Sequence, residues 1–207
     1  MRKILIVLII AMSVILFCSC SREDDSAREE MLNEEMFNKV MSADEALEMS
    51  LKTDTVVFEM KGCTSGQKVW DEFCEKTAKG KKASVLCANY YVLDMASISR
   101  DLYEEEKNNH PQLYFSLIKF DGKNYTVKTR RSDSEELDSE ETYKYMLHFT
   151  GDAASESAAF ETYEYYVLAD DKSLTWDEIM HGMFSSRSGD YIRHCKVYTN
   201  YSGWKGN

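Results

Sequence analysis

The chemistry available to this chain sits in six cysteines and four histidines, and their spacing decides what each can do. Cys18 and Cys20, one serine apart, stand where an apolar run gives way to Arg22, Glu23, Asp24 and Asp25. Cys63 opens the stretch Cys63-Thr-Ser-Gly66 just ahead of a predicted helix, where the dipole and the free N–H groups of a helix terminus stabilise a thiolate. Cys63, Cys74, Cys87 and Cys195 allow three disulfide pairings, and spacing does not choose among them. Cys74 falls on the apolar face of its helix and reads as a small core residue. No two cysteines have C-x-x-C spacing and the adjacent His194-Cys195 stands alone, so no metal site and no cofactor are expected. His110, His148 and His181 are isolated and define no general base.

Other motifs are weaker still. There is no G-x-S-x-G, and Ser185 to Asp190 reads as a turn. Gly62 to Lys68 has glycines and a lysine near a helix start but not the spacing of a phosphate loop. The acids between Asp133 and Glu141 lack a calcium-loop pattern and read as a solvated loop. Thirteen tyrosines and three tryptophans are an excess. On alternating strand positions such residues either pave a face for a peptide or a glycan or pair across strands to stabilise the sheet.

The first residues position Cys20. Arg2 and Lys3 precede an apolar run from Ile4 to Phe17, interrupted by Ser13, which has the length of a signal-peptide core and falls short of the ~20 residues of a spanning helix. An uncleaved N-terminal anchor is the alternative, with nearly the same location. Phe17-Cys18-Ser19-Cys20 resembles the lipobox of bacterial lipoproteins, in which a cysteine preceded by small residues is acylated and becomes the first residue of the mature chain. Cys20 fits that place better than Cys18, which has bulky Phe17 before it; Phe17 itself stands where the pattern prefers Leu. The resemblance implies a signal peptide over 1–19, lipidation at Cys20, and a location on the extracytoplasmic face of a bacterial cell membrane. Two acyl chains hold a protein stably where one holds it marginally. Residues 21 to 30 carry two arginines and five acids with no large apolar side chain and read as a charged tether reaching at most roughly 33 Å.

Residues 31–207 are expected to form a single domain. The net charge of −11 becomes −13 once Arg2 and Lys3 leave with the signal, and a surface that acidic repels phosphate backbones, which excludes nucleic acid as a partner. Ser42 and Glu45 have capping-box spacing and predict a helix to about Leu51; Thr64 and Gln67 repeat the spacing ahead of a second helix closed near Gly80. A helical piece is expected around Arg100 to Lys107, stopped before Pro111. Thr175 and Glu178 predict the clearest helix, with Trp176, Ile179, Met180, Met183 and Phe184 on one buried face. Strands are predicted at Thr55–Met60, 83–93, 112–120, 123–131, 142–150, 160–169 and about 191–199, with Asp121-Gly122 as a two-residue hairpin turn. The fold class that follows is α+β, a mainly antiparallel sheet of about six strands with helices on one face.

Strand, turn, Cys63, helix, and later Pro111 ahead of a hairpin, together resemble thioredoxin-like oxidoreductases over about half the domain. Gly66 stands where that family has its second cysteine, so the resemblance implies a one-thiol mechanism with Cys63 as nucleophile and Pro111 as the cis-proline. GKKASV (80–85), YFSLIKFDGKNYTV (114–127) and YYVLADDKSLTWDEI (165–179) resemble uncharacterised lipoproteins of Gram-positive bacteria that belong to domain-of-unknown-function groups, which implies no activity. The expected function is therefore a membrane-tethered, non-enzymatic binding or structural module of the envelope, with a peptide, a glycan or an envelope protein as partner. A solute-binding or inhibitory lipoprotein would show a cleft; the thiol oxidoreductase is the enzymatic alternative.

Overall fold

The computed structural model describes residues 27–94 and 98–205; the predicted signal segment, Cys18, Cys20 and the tether up to residue 26 lie outside them. The described chain begins in a helix, α1 (residues 27–38), so residues 27–30, read as tether, are helical. Then come α2 (Ala43–Ser50), β1 (Thr55–Glu59), β2 (Gly62–Ser65), α3 (Gln67–Ala78), β3 (Ala83–Tyr91) and α4 (Arg100–Glu106). They are followed by β4 (Gln112–Phe120), β5 (Tyr125–Arg131), β6 (Ser139–Tyr143), β7 (Tyr145–Asp152), β8 (Thr162–Ala169), α5 (Trp176–Phe184) and β9 (His194–Ser202). The fold is mixed α+β. Its strands form one sheet in the order β6-β5-β4-β3-β1-β2-β9-β8-β7, antiparallel except where β1 and β3 run parallel across the connection that contains α3.

Among the described residues nine strands replace the expected six or so. Gly62–Ser65, read as a turn, is a short strand folded back on β1, with Cys63 opposite Phe58. The run 142–150, read as one strand, is two: β6 ends at Tyr143 and β7 starts at Tyr145, yet they occupy opposite edges of the sheet. Only a sheet curled until its edges approach allows one residue, Lys144, to make that passage. The curl shows in the packing as well. Val127 on β5 and Tyr198 on β9 belong to one core cluster, although in a flat sheet the five strand spacings between them would span roughly 24 Å.

Helices cover both faces, not one. β1, β3 and β4 bury alternate residues on opposite sides: Val56, Val85, Cys87 and Ile118 meet Trp70 and Phe73 of α3 on the concave face, while Val57, Leu86, Ala88, Leu113 and Phe115 meet Met36, Phe37 and Ala46 of α1 and α2 on the convex face. A strand wrapped on both sides has no solvent-facing side, which is why ASVLCA in β3 is apolar apart from Ser84, whose hydroxyl accepts from the buried Asn33 amide at 2.9 Å. Further along the convex face, α5 covers Tyr165 and Val167 of β8 with Ile179.

Two of the predicted capping boxes are present, Ser42 with Glu45 and Thr175 with Glu178. The third is absent. Gly66 is the N-cap of α3 with φ 79° and no side-chain cap bond, and Thr64 instead donates to the carbonyl of Val57 at 3.4 Å. A side chain on Gly66 would meet the Thr55 carbonyl oxygen at 2.4 Å, so glycine alone lets the loop lie on β1.

α1 is fixed to the body at each end. Lys76 of α3 binds Glu29 at 2.5 Å, and Lys119 of β4 binds Glu30 at 2.8 Å and also Glu34. At the other end Arg130, only 2% exposed, donates to the carbonyls of Phe37, Lys39 and Ser134, and to that of Arg131 at 2.8 Å. Its guanidinium also lies 5.3 Å over the Phe37 ring. Buried charge of this kind persists because backbone oxygens replace the lost water.

Candidate functional site

On the concave face the strands pass from hydrocarbon at one end to mixed polarity at the other. Register puts Ala83, Phe120 and Tyr125 at the end where α3 runs out, and Tyr91 and Gln112 at the opposite end. Trp70 and Phe73 of α3 fill the trough near its middle: the Trp70 indole stacks on Tyr198 at 4.7 Å and meets Tyr166 edge-on at 5.2 Å. The Trp70 Nε1–H is buried without an acceptor. Tyr198 turns its hydroxyl to Gln67, at the start of α3.

Beyond this plug is a cavity of about 490 Å³. Phe58 and Tyr198, edge to face at 5.4 Å, form one wall with Cys195; Val127 lies across from them, and Asn89 and Ser116 supply neutral polar atoms between. Met60, Tyr91 and Val92 ring the mouth, each more than half exposed. Gly62 (φ 95°) shapes the lip. Its Cα passes so close to β9 that an added Cβ would meet the Asn200 Cα at 2.7 Å. Toward the deeper end Arg193 lies 4.3 Å over Tyr143, bonds Glu141 at 3.2 Å and Asp170 at 2.8 Å, and donates to the Thr142 carbonyl at 3.1 Å. It thereby neutralises the carboxylate beside Val127 and ties the sheet's β6 edge to the segment entering β9.

The four cysteines Cys63, Cys74, Cys87 and Cys195 are all free and all belong to the concave core. Cys63 is on β2, not at the helix terminus itself, and donates weakly to the Ser65 carbonyl at 3.3 Å. Burial pushes its thiol up, against a smaller opposing effect of Tyr198. That is the reverse of the direction a helix-terminus nucleophile calls for. Burial also raises Cys74 to about 12, Cys195 to about 11, and Cys87 further. Pro111 follows a cis bond from His110, as the oxidoreductase resemblance implied. It enters β4, three strands away from β2 in the sheet order.

His148 bonds Glu164 at 2.9 Å and stacks on Tyr166 at 4.2 Å, half exposed and without a nucleophile between them. The rings of His110 and His194 bond nearby carbonyls of Glu106 and Ile192. Cys195 and His194, as neighbours on a strand, face opposite ways. Among the described residues no three of His, Cys, Asp and Glu converge as a metal requires.

The tyrosines are mainly cross-strand partners. Tyr166 meets Tyr198 at 5.4 Å and Tyr165 meets Tyr201 at 6.0 Å between β8 and β9, and Phe120 meets Tyr125 at 4.5 Å between β4 and β5, while Tyr163 stacks on Tyr165 along β8 at 4.5 Å and Tyr165 meets Trp176 of α5 at 4.8 Å. Tyr143, Tyr165 and Tyr198 are buried; Tyr91 and Tyr191 are exposed.

Sequence reasoning did not find the cavity, because Phe58, Val127 and Tyr198 look like ordinary core. One signal was present: the apolar run Tyr90-Tyr-Val-Leu93 continues past the end of β3 at Tyr91, where a turn would normally bring polar residues. No protein-family model, no curated protein and no solved structure matches the chain.

Proposed function

We propose that this protein is a lipid-anchored binding module of the bacterial envelope, tethered at Cys20 on the extracytoplasmic face, without catalytic activity, and that the concave cavity is its ligand site. The observation that carries this is a walled cavity of about 490 Å³ with large apolar side chains exposed at its mouth. That size is within the range of small-molecule sites, which combine apolar walls with a few neutral polar groups. A cleft in the sheet ranks a solute-binding role above a purely structural one. The alternative, a one-thiol oxidoreductase using Cys63, asks for a readily ionised thiol, whereas burial pushes this one up.

The test is native mass spectrometry of the protein extracted from its own membranes, joined to analysis of its N-terminal peptide. The expected result is a diacylglyceryl group on Cys20 and a bound small molecule that is lost when Val127 is enlarged to Trp. A protein that starts elsewhere with Cys20 unmodified would overturn the tether, and one that carries no ligand would overturn the binding role. Normal thiol titration at Cys63 would remove the alternative.

A further inference from the structure

We infer that the cavity selects an uncharged amphiphile, with an aromatic ring or short acyl chain inserted between Phe58, Val127 and Tyr198 and a neutral polar end, such as an amide, held at Asn89 and Ser116. This rests on the cavity being the ligand site. The inference comes from where charge is placed. Of the side chains around the cavity only Glu59 and Lys196 are ionisable at neutral pH, and neither ammonium nor carboxylate is offered to its interior. The Lys196 ammonium lies 4.5 Å over the Tyr165 ring, on the convex face with α5, and Glu59 is exposed at the lip. Glu141, the nearest acid behind Val127, is already held by Arg193 and by the Tyr143 hydroxyl at 2.6 Å. A carboxylate or phosphate in the trough would lose its water with no cation to receive it, and the net charge of −11 adds long-range repulsion. A cation would find aromatic faces, but Glu59 is out at the lip and Glu141 is already paired with Arg193. A neutral ligand incurs neither penalty: Ser116 shares a 3.4 Å contact with Thr129 and keeps hydrogen-bonding capacity, and a carboxamide at Asn89 can both donate and accept. The rim made by Met60, Tyr91 and Val92 lies just beyond Asn89 and borders the outer end of the ligand.

Three isosteric probes test this: naphthalene-2-carboxamide, 2-naphthoate and naphthalene-2-carboxamidine, titrated calorimetrically into the full-length protein in nanodiscs against empty nanodiscs. The amide is expected to bind, with the carboxylate and the amidine each at least ~10-fold weaker. Val127→Trp should abolish amide binding, and Ser116→Ala should weaken it. Since Val127→Trp overfills a packed wall, Val92→Asp at the exposed rim provides a second variant, expected to weaken amide binding with an unchanged thermal melt. Equal or tighter binding of either charged probe overturns the selectivity while leaving the cavity as a ligand site. Amide binding unaffected by both Val127→Trp and Val92→Asp places the ligand elsewhere and overturns the inference. Failure of all three probes, with a native ligand still found by mass spectrometry, overturns the chemical class; failure of both overturns the site.

Discussion

The two halves of the curled sheet are stabilised differently. In the half built on β1, β3 and β4, helices lie on both sides, and Val56, Val57, Val85, Leu86, Cys87 and Ala88 are wholly excluded from water. In the half built on β7, β8 and α5, the convex cluster buries only Tyr165, Val167 and Ile179, and α5 ends with Met183 and Phe184 at 50% and 78% exposure. Aliphatic burial scales with area removed from water. The second half relies instead on aromatic pairs, each worth about 0.5–1.5 kcal/mol beyond the area it covers. The first half is therefore expected to unfold only with the whole molecule, and the second to open locally.

The sharpest way to break this contrast is Trp70→Ala, which empties the plug shared by both halves. It is expected to destabilise by about 3–5 kcal/mol in urea unfolding, and a loss below about 1 kcal/mol would mean that the two halves do not share a core. Arg130→Met should follow at about 3 kcal/mol, because the carbonyls of Phe37, Lys39 and Ser134 lose their donor in a buried site. Hydrogen exchange should show α1 released while α5 is unchanged.

Alkali provides a third test. Cys63, Cys74 and Cys195 have folded-state values raised by burial above the ~8.5 of a free thiol. The folded protein therefore holds those protons longer than the unfolded chain does. Their stabilisation is complete below pH ~8.5 and is lost as pH climbs toward 11 and beyond. The urea midpoint should fall across that window, and Cys195→Ala should make the fall shallower by one thiol.

Smaller effects belong to α5. Thr175→Ala removes a capping box and should cost about 1 kcal/mol, with faster amide exchange in α5 and none in β3. Phe184→Ser, on a surface that buries almost nothing of this ring, should change stability by no more than about 0.5 kcal/mol. A drop of 2 kcal/mol there would show that α5 is packed as firmly as α3.

Much of the first half was legible in the sequence because its signals are local: the Ser42–Glu45 box, the Asp121-Gly122 turn, and the largely apolar run of β3. That same run should have indicated helices on both faces, since no strand exposed on one side reads ASVLCA. The strand count failed where the signal is not local. Nothing between Thr142 and Thr150 marks the point at which the chain leaves one edge of the sheet for the other, because the crossing is made possible by curvature accumulated over nine strands. β2 was missed because Gly62-Cys-Thr-Ser65 has turn composition, and its pairing depends on β1 and β9 arriving on either side. The cavity was illegible for a related reason. Its wall residues come from β1, β3, β4, β5 and β9, and no window of sequence contains them together.

The position of α1 fixes where any pull on the chain would be felt. Glu29 and Glu30 hold its first turns against Lys76 and Lys119, at the end of the strands opposite Met60, Tyr91 and Val92, and nine residues of β3 separate the two ends by about 30 Å. Whatever residue 26 is joined to thus grips the molecule by its base, like a cup held at the foot. Under the proposed anchor at Cys20 the open bowl would face away from the membrane, and a visitor arriving from outside would reach it without first passing between protein and lipid.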